Sequence, residues 1–199
     1  IEPTTVAYPL LEKMAQKTKL CRYLHIPLQS GDDDVLKAME RKYDSSEFFG
    51  FIRRAHEAVP EICIGTDVIV GFPGETPEQF NNTYERLLEG PVHYFHVFSY
   101  SDRYLAKARN FTDKVPSQAI SERSERLRDL SQRKRRVYHE SLLGTTQNVL
   151  FEEQKEGHWT GLTDHYVRVF VKTQEDLSNQ LRGVKLARIY KAGVEGELI

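Results

Sequence analysis

The sequence predicts an α/β fold, namely an open half of a (β/α) barrel with parallel strands, followed by a small antiparallel β-barrel. Up to residue 98, short apolar strands alternate with amphipathic helices, which is typical of parallel strands joined by helical crossovers. After Gly144 the helical period gives way to alternating apolar and polar residues, which predicts antiparallel strands. We therefore divide the chain into a half-barrel (1–116), a connecting helix (117–144) and a β-barrel (145–199).

Capping residues and apolar periodicity place the elements of the half-barrel. Asp44 and Glu47 have the spacing of a capping box, and Thr76 and Gln79 repeat that spacing before a later helix. Pro77 suits the first turn of that helix. The expected order is a helix at 7–16, a strand at 22–27, helices at about 33–40 and 45–58, a strand at 62–70, a helix at 77–88 and a strand at 92–98.

The stretch from Gly65 to Glu75 carries the most information about a binding site. A β-branched run through Val70 is broken by Gly71, Pro73 and Gly74, and a helix begins directly afterwards. In parallel α/β folds, ligands bind at the carboxyl ends of the strands, and the start of a helix offers free N–H donors. Because glycine lets a ligand approach the backbone closely, this turn is where we expect a cofactor.

The C-terminal part begins with a long polar helix at 117–143 that is expected to stop at Gly144. This helix holds seven basic and four acidic residues, so it presents either a solvated surface or a surface that faces RNA. The barrel that follows is expected to contain strands at 148–152, 166–171 and 193–199, with turns at Gly157 and Gly161.

Composition narrows the class of protein. Apolar residues make up 39% and charged residues 29%, and the net charge of −1 creates no overall attraction to nucleic acid. Two cysteines are too few for a disulfide framework and favour a reducing compartment, so we expect a cytoplasmic protein. Apolar runs long enough to span a membrane are absent from the sequence.

Four motifs in register resemble the radical S-adenosylmethionine (SAM) methylthiotransferases. They are residues 25–31, residues 35–39 with 41–43, residues 66–76, and residues 96–101 with Arg103. Residues from about Thr145 onward resemble the TRAM domain, the small OB-like barrel that closes these enzymes. The resemblance implies an enzyme that adds a methylthio group to a modified adenosine in tRNA. The opening Ile-Glu-Pro and the final Glu-Leu-Ile most resemble the branch acting on N6-threonylcarbamoyladenosine, while isopentenyladenosine and a ribosomal protein remain open as substrates.

The same resemblance implies SAM, two 4Fe–4S clusters and an electron donor for the whole enzyme. The family ligates its radical-generating cluster through a Cys-x3-Cys-x2-Cys loop. Cys21 and Cys63 lie 42 residues apart and cannot supply such a set. We therefore expect a piece of a longer enzyme, without its N-terminal domains and inactive by itself.

The resemblance also implies which residues bind the cofactor. The candidates are Gln29, Ser30, Asp67, Gly71, Phe72, Pro73, Gly74 and Arg103. Helix capping explains Ser30 equally well, and a place in the core explains Phe72 equally well. Asp67 lies in an apolar strand, so it needs a partner, either structural or a ligand. After Arg103 the chain departs from the Gly-Thr-Pro-like stretch that is usual in the family.

The barrel carries candidates for RNA contact, although its charge is nearly balanced. They are Lys155, Trp159, Arg168, Lys185, Arg188 and Lys191. Residues 145–199 hold seven basic and eight acidic groups, so RNA binding rests on the resemblance to TRAM domains, and a tryptophan is more often core.

The histidine pattern predicts no metal site made by the protein alone. His93 and His96 are three apart on a strand and point to opposite faces. The competing hypothesis for the chain as a whole is a non-catalytic RNA- or protein-binding module on a generic α/β scaffold.

Overall fold

The structure is a computed structural model that describes residues 8–16, 18–102 and 107–199. Its first part alternates helices and strands as the sequence predicts, with each boundary within a few residues of the expected one. The elements are α1 (Tyr8–Ala15), β1 (Tyr23–His25), α2 (Asp33–Ala38), α3 (Ser45–Ala58), β2 (Cys63–Val70), α4 (Pro77–Glu89) and β3 (Tyr94–Ser99). Both predicted capping boxes are present, at the starts of α3 and α4.

The three strands form a parallel sheet in the order β1-β2-β3, which confirms the predicted half-barrel. Side chains alternate between its two faces. One face packs against the helices through Leu24, Ile64, Val68 and Phe95 in a single apolar core. The opposite face, which we call the polar sheet face, is formed by Tyr23, His25, Gly65, Asp67, Tyr94 and His96.

A long helix, α5 (Ser117–Ser141), lies along the free edge of β3. The Ser131 hydroxyl accepts a hydrogen bond from the Phe95 N–H (2.8 Å) and donates one to the Phe95 carbonyl (2.7 Å). Leu127 and Leu130 enter the core of the half-barrel. The helix therefore covers a strand edge that would otherwise offer unpaired backbone groups.

The helix α5 ends near the predicted stop but not at it. Leu142 is the C-cap residue, and Gly144 follows with a φ of +80° that suits glycine. The Gly144 N–H donates to the Leu186 carbonyl (2.8 Å), so the chain passes from the helix directly into the barrel.

Five strands form a closed barrel in which β4 pairs with both β5 and β7, and β6 and β8 pair in parallel. This order is that of a five-stranded OB-like barrel, as predicted. The strands are β4 (Thr146–Lys155), β5 (His158–Thr163), β6 (Arg168–Val171), β7 (Leu181–Tyr190) and β8 (Gly193–Leu198).

Two details of the barrel differ from the sequence prediction. Gly161 was expected in a turn, but it lies inside β5, where an added Cβ would come within 2.3 Å of the Leu150 carbonyl oxygen. It therefore marks a close approach of two strands. The strands β5 and β7 were both missed. In β7 only Val184 and Leu186 are buried, and charged residues surround them.

The half-barrel and the barrel pack against each other through an apolar contact. Cys63 of β2 and Tyr138 and Leu142 from the end of α5 belong to the core of the barrel. Tyr23 stacks on Tyr166 with ring centroids 4.3 Å apart. Among the described helices, none is long and apolar enough to cross a bilayer.

We predict that protonation of His93 destabilises the fold. Its Nδ1 accepts the Ile64 N–H (2.9 Å), and burial, followed by the charges of His56 and Lys134, lowers the pKa of His93 from 6.5 to about 3. The unfolded chain therefore binds more protons between these pH values, and stability falls as the pH drops through them. His93→Asn keeps a hydrogen-bond acceptor but has no group that is protonated in this range. Between pH 7 and pH 5, its free energy of unfolding should therefore fall by about 1–2 kcal/mol less than that of the parent.

Urea unfolding of the parent and of His93→Asn at pH 8, 7, 6 and 5 measures this effect. An identical pH dependence for both proteins would show that His93 does not contribute to acid sensitivity.

Candidate functional site

A cleft of about 430 Å³ opens at the carboxyl ends of the parallel strands. This is the end of the sheet at which the sequence predicts a ligand. The cleft combines an amide, a carboxylate and hydroxyls with exposed apolar surface, since Phe98 is 52% exposed. Its lining consists of Gln29, Asp67, Ile69, Phe98, Ser99, Tyr100 and Ser101.

Gln29 follows β1 and forms an isolated parallel bridge to Val68 of β2 at the edge of the cleft. Its N–H donates to the Asp67 carbonyl (2.8 Å), and its own carbonyl accepts the Ile69 N–H (2.9 Å). The residue has a φ of +69°, which is uncommon for a residue other than glycine and is often found at binding sites. The sheet therefore holds Gln29 rigidly in a conformation that an isolated chain would avoid.

Asp67 has the partner that the sequence requires. Its Oδ1 lies 2.9 Å from His25 Nε2, and both side chains are partly exposed on the polar sheet face. His25 Nδ1 in turn lies 3.3 Å from the Tyr23 hydroxyl, which is 2.5 Å from the hydroxyl of Tyr94. These polar side chains form one continuous row from the cleft toward the barrel.

Gly65 makes room for this row. A Cβ at Gly65 would lie 2.6 Å from Tyr94 Cζ and 2.9 Å from His25 Nδ1. The absence of a side chain lets the Tyr94 and His25 side chains cross the middle of β2.

Ser30, the neighbour of Gln29, points elsewhere. It is 1% exposed, its hydroxyl lies 3.1 Å from Thr83 Oγ1, and it accepts the Asp32 N–H (3.2 Å). These contacts fit the capping interpretation, because Asp32 is the N-cap residue of α2.

The turn after β2 is built as predicted, but its first three residues are buried in the protein and only Gly74 is exposed. Phe72 is 6% exposed and packs edge-to-face against Tyr100 (5.5 Å) and Phe111 (6.0 Å). Pro73 is buried, and Gly71 and Gly74 have φ values of +78° and +87°. The lining of the cleft does not include these four residues, and their contact with a cofactor stays a prediction. Arg103 falls outside the described residues.

A buried ion pair holds this turn in place. Glu75 Oε2 accepts a hydrogen bond from the Gly71 N–H (3.0 Å) and one from Arg123 Nη1 (2.6 Å), and Arg123 also donates to the Glu75 carbonyl (3.1 Å). Burial is the largest influence on the pKa of Glu75 and raises it, while Gly71 and Arg123 act in the opposite direction. This pair could not be predicted from the sequence, because its members are 48 residues apart.

Most of the cationic candidates in the barrel are paired with acidic neighbours. The pairs are Lys155–Glu153, Arg168–Glu152, Arg188–Glu195 and Lys191–Glu156. Lys185 is exposed and has no ion pair with any residue that the structure describes. Trp159 is 9% exposed and belongs to the core of the barrel.

Sequence reasoning overlooked the contribution of histidine to the polar sheet face. The His96 side chain points away from that of His93, as expected. However, its ring nitrogen lies within 4.8 Å of ligand atoms of His25 and Asp67. Each lies on a different strand, so only the register of the sheet brings them together. The available signal was the position of each polar residue within an otherwise apolar strand.

Comparisons with known proteins identify relatives of this chain. Residues 2–87 match the model of the Radical SAM superfamily. A tRNA-2-methylthio-N(6)-dimethylallyladenosine synthase from Aliarcobacter butzleri is 36% identical over 193 residues, which are 95% of this chain and 44% of that protein. A threonylcarbamoyladenosine tRNA methylthiotransferase from Bacillus subtilis is 33% identical over 204 residues, covering 100% of this chain and 45% of that protein. The chain thus spans less than half the length of these relatives.

We predict that two glycines of the turn differ sharply in their tolerance of a side chain. Both have positive φ, but a Cβ at Gly71 would lie 2.4 Å from Ile120 Cγ1, whereas one at Gly74 meets nothing within 4 Å. Gly74→Ala should cost about 1 kcal/mol for the backbone conformation alone. Gly71→Ala should cost a further ~1–3 kcal/mol for overpacking against α5.

Thermal or urea unfolding of the two variants compares them directly. Adding Ile120→Ala should recover part of the loss in Gly71→Ala and none in Gly74→Ala. Equal losses in the two glycine variants would contradict the packing of α5 on this turn.

Proposed function

Since the chain belongs to the radical SAM methylthiotransferase family, we propose that it forms the part of a tRNA-modifying enzyme that holds SAM and positions the substrate. The observation that carries this proposal is the cleft at the carboxyl ends of β1, β2 and β3. When bound, SAM would supply the methyl group and, with a reduced cluster, the activation of a substrate C–H bond.

The residues of the cleft fit SAM chemically. The Gln29 amide, the Asp67 carboxylate and the Ser99 and Ser101 hydroxyls suit ribose hydroxyls and the amino-acid group. Ile69, Phe98 and Tyr100 offer apolar and aromatic surface for an adenine ring. Because these groups stand on strand ends of one sheet, they would hold the cofactor in a fixed orientation relative to a substrate.

The cysteines of this chain do not fit an iron–sulfur cluster. Cys21 is exposed, whereas Cys63 is buried, and burial raises the pKa of the Cys63 thiol to about 12. Cluster ligands are thiolates, so Cys63 is poorly suited to the role. We propose that both 4Fe–4S clusters, and the contact with an electron donor, are provided by the remainder of a longer enzyme, and that the chain alone is inactive.

We assign tRNA binding to the barrel together with the exposed face of α5. The barrel holds seven basic and eight acidic residues, so its phosphate contacts should be few. On α5, the exposed Arg126 stacks over Phe80 and Tyr84 (5.0 Å each), and Arg133 bonds to the Tyr84 hydroxyl (3.1 Å). This helix would supply the steeper part of the salt dependence.

The proposed substrate is N6-threonylcarbamoyladenosine in tRNA, in the cytoplasm. This choice rests on the resemblance of residues 1–3 and 197–199 to that branch, and on the relative from Bacillus subtilis that aligns over the whole chain. Relatives named for dimethylallyladenosine are equally similar, at 34–38% identity in three cases, so that base is the main alternative. Action on a ribosomal protein, or RNA binding without catalysis, would leave tRNA unmodified.

We predict that Gln29→Asn weakens SAM binding by the complete enzyme about threefold to tenfold, the equivalent of one hydrogen bond of about 0.5–1.5 kcal/mol. Asparagine tolerates positive φ, so the fold should be unaffected, but its side chain is one carbon shorter and its amide cannot reach as far. Ser30→Ala is the matched control, because the Ser30 hydroxyl contacts Thr83 rather than the cleft. Equilibrium SAM binding measures the effect, and a larger loss for Ser30→Ala would place the cofactor elsewhere.

We also predict that expression of the complete protein in a strain without tRNA methylthiolation restores a methylthio nucleoside, detected by mass spectrometry of digested tRNA. Methylthiolated threonylcarbamoyladenosine supports the proposed substrate, and the dimethylallyl derivative identifies the alternative. Unmodified tRNA in the presence of SAM cleavage would contradict the assignment to tRNA.

A further inference from the structure

We propose that His25, Asp67 and His96 form a binding site for one divalent first-row transition-metal ion, such as Zn²⁺, on the polar sheet face. One ligand atom from each residue lies within 4.8 Å of the other two. The closest pair, His25 Nε2 and Asp67 Oδ1, is 2.9 Å apart. The site shares Asp67 with the cleft proposed for SAM, and neither SAM nor tRNA is needed to test it.

The spacing is close to what a metal ion requires. Zinc binds histidine nitrogen and carboxylate oxygen at about 2.0–2.2 Å, so tetrahedral ligand pairs stand roughly 3.3 Å apart. The His25–Asp67 separation of 2.9 Å is slightly below this value, and no pair of ligand atoms in the cluster is more than 4.8 Å apart. Because the side chain of His96 is exposed, its imidazole can turn toward an ion without disturbing the core.

Three strands of one sheet fix the positions of the ligands. Asp67 and His96 are direct register partners on β2 and β3, and His25 on β1 is partnered with Gly65, two residues before Asp67. The side chains therefore converge from three neighbouring backbones on the same face. Ligands on rigid strands need little reorganisation when an ion binds.

A hydrogen-bonded second layer supports His25 in either tautomer. Without a metal, Nε2–H can donate to Asp67, while Nδ1 accepts from Tyr23 and Tyr23 accepts from Tyr94. When Nε2 binds an ion, Nδ1–H can donate to the Tyr23 oxygen, and Tyr23 can donate to Tyr94. Tyrosine hydroxyls both donate and accept, so the row reverses without breaking. Such partners orient metal-binding histidines in known sites.

The ligand types and the local charge favour a metal ion of intermediate hardness, between hard ions such as Mg²⁺ and soft ones. Two imidazoles and one carboxylate suit Zn²⁺, Fe²⁺ or Co²⁺ rather than Mg²⁺ or Ca²⁺. Arg135 lies over the Tyr94 ring at 4.7 Å and opposes a cation, which makes the negative charge of Asp67 necessary. Three protein ligands leave a fourth tetrahedral position for water or an exogenous ligand.

Cobalt titration of the 199-residue chain tests the proposal, because Co²⁺ has visible absorption that reports coordination. The experiment uses Cys21→Ser, which removes the exposed thiol as a competing ligand. We expect one saturable Co²⁺ site that Zn²⁺ displaces. His96→Ala and Asp67→Asn should each weaken binding by about 100-fold or more, and Tyr23→Phe by about tenfold as a second-layer change.

The matched control is His158→Ala, since His158 forms another histidine–carboxylate pair, with Glu195 at 3.5 Å, but belongs to no described group of three such ligands. Its loss should leave the cobalt spectrum and affinity unchanged. Circular dichroism verifies that each variant is folded. Absence of a saturable site, or equal affinity in the parent, His96→Ala and Asp67→Asn, would overturn the assignment.

Discussion

The ion pair between Glu75 and Arg123 is the interaction on which the arrangement of the molecule most depends. It joins the turn after β2 to α5, and the same Glu75 oxygen also accepts the Gly71 N–H. Both residues are at most 9% exposed. Removing one partner of such a pair leaves an uncompensated charge, with a typical cost of ~3–5 kcal/mol, so the position of α5 and the shape of the turn are set together.

Through α5, this constraint reaches both parts of the protein. Leu127 and Leu130 pack in the core of the half-barrel, whereas Tyr138 and Leu142 pack in that of the barrel. The helix thus connects the half-barrel that contains the cleft to the barrel proposed to bind RNA. For an enzyme that must hold a cofactor and a nucleic-acid base side by side, a fixed angle between these surfaces is a direct requirement of proximity.

The polar sheet face is the least expected feature, because residues so close to an apolar core are usually apolar. Asp67, His25, Tyr23 and Tyr94 satisfy one another by hydrogen bonds, which offsets the loss of water around them. Gly65 makes the row possible by leaving its own position empty. The same row orients the side chains that the cleft and the proposed metal site share.

Local signals in the sequence were sufficient for the elements themselves: the capping boxes at Asp44 and Thr76, the β-branched run of β2 and the break at Gly71 all lie within a few residues of the feature they specify. The need of Asp67 for a partner also followed from the sequence, because a carboxylate in an apolar strand is costly alone. The identity of that partner, the pairing of Glu75 with Arg123 and the strand role of Gly161 did not follow. These depend on sheet register and helix packing between distant residues, which the hydrophobic period of a single segment does not encode.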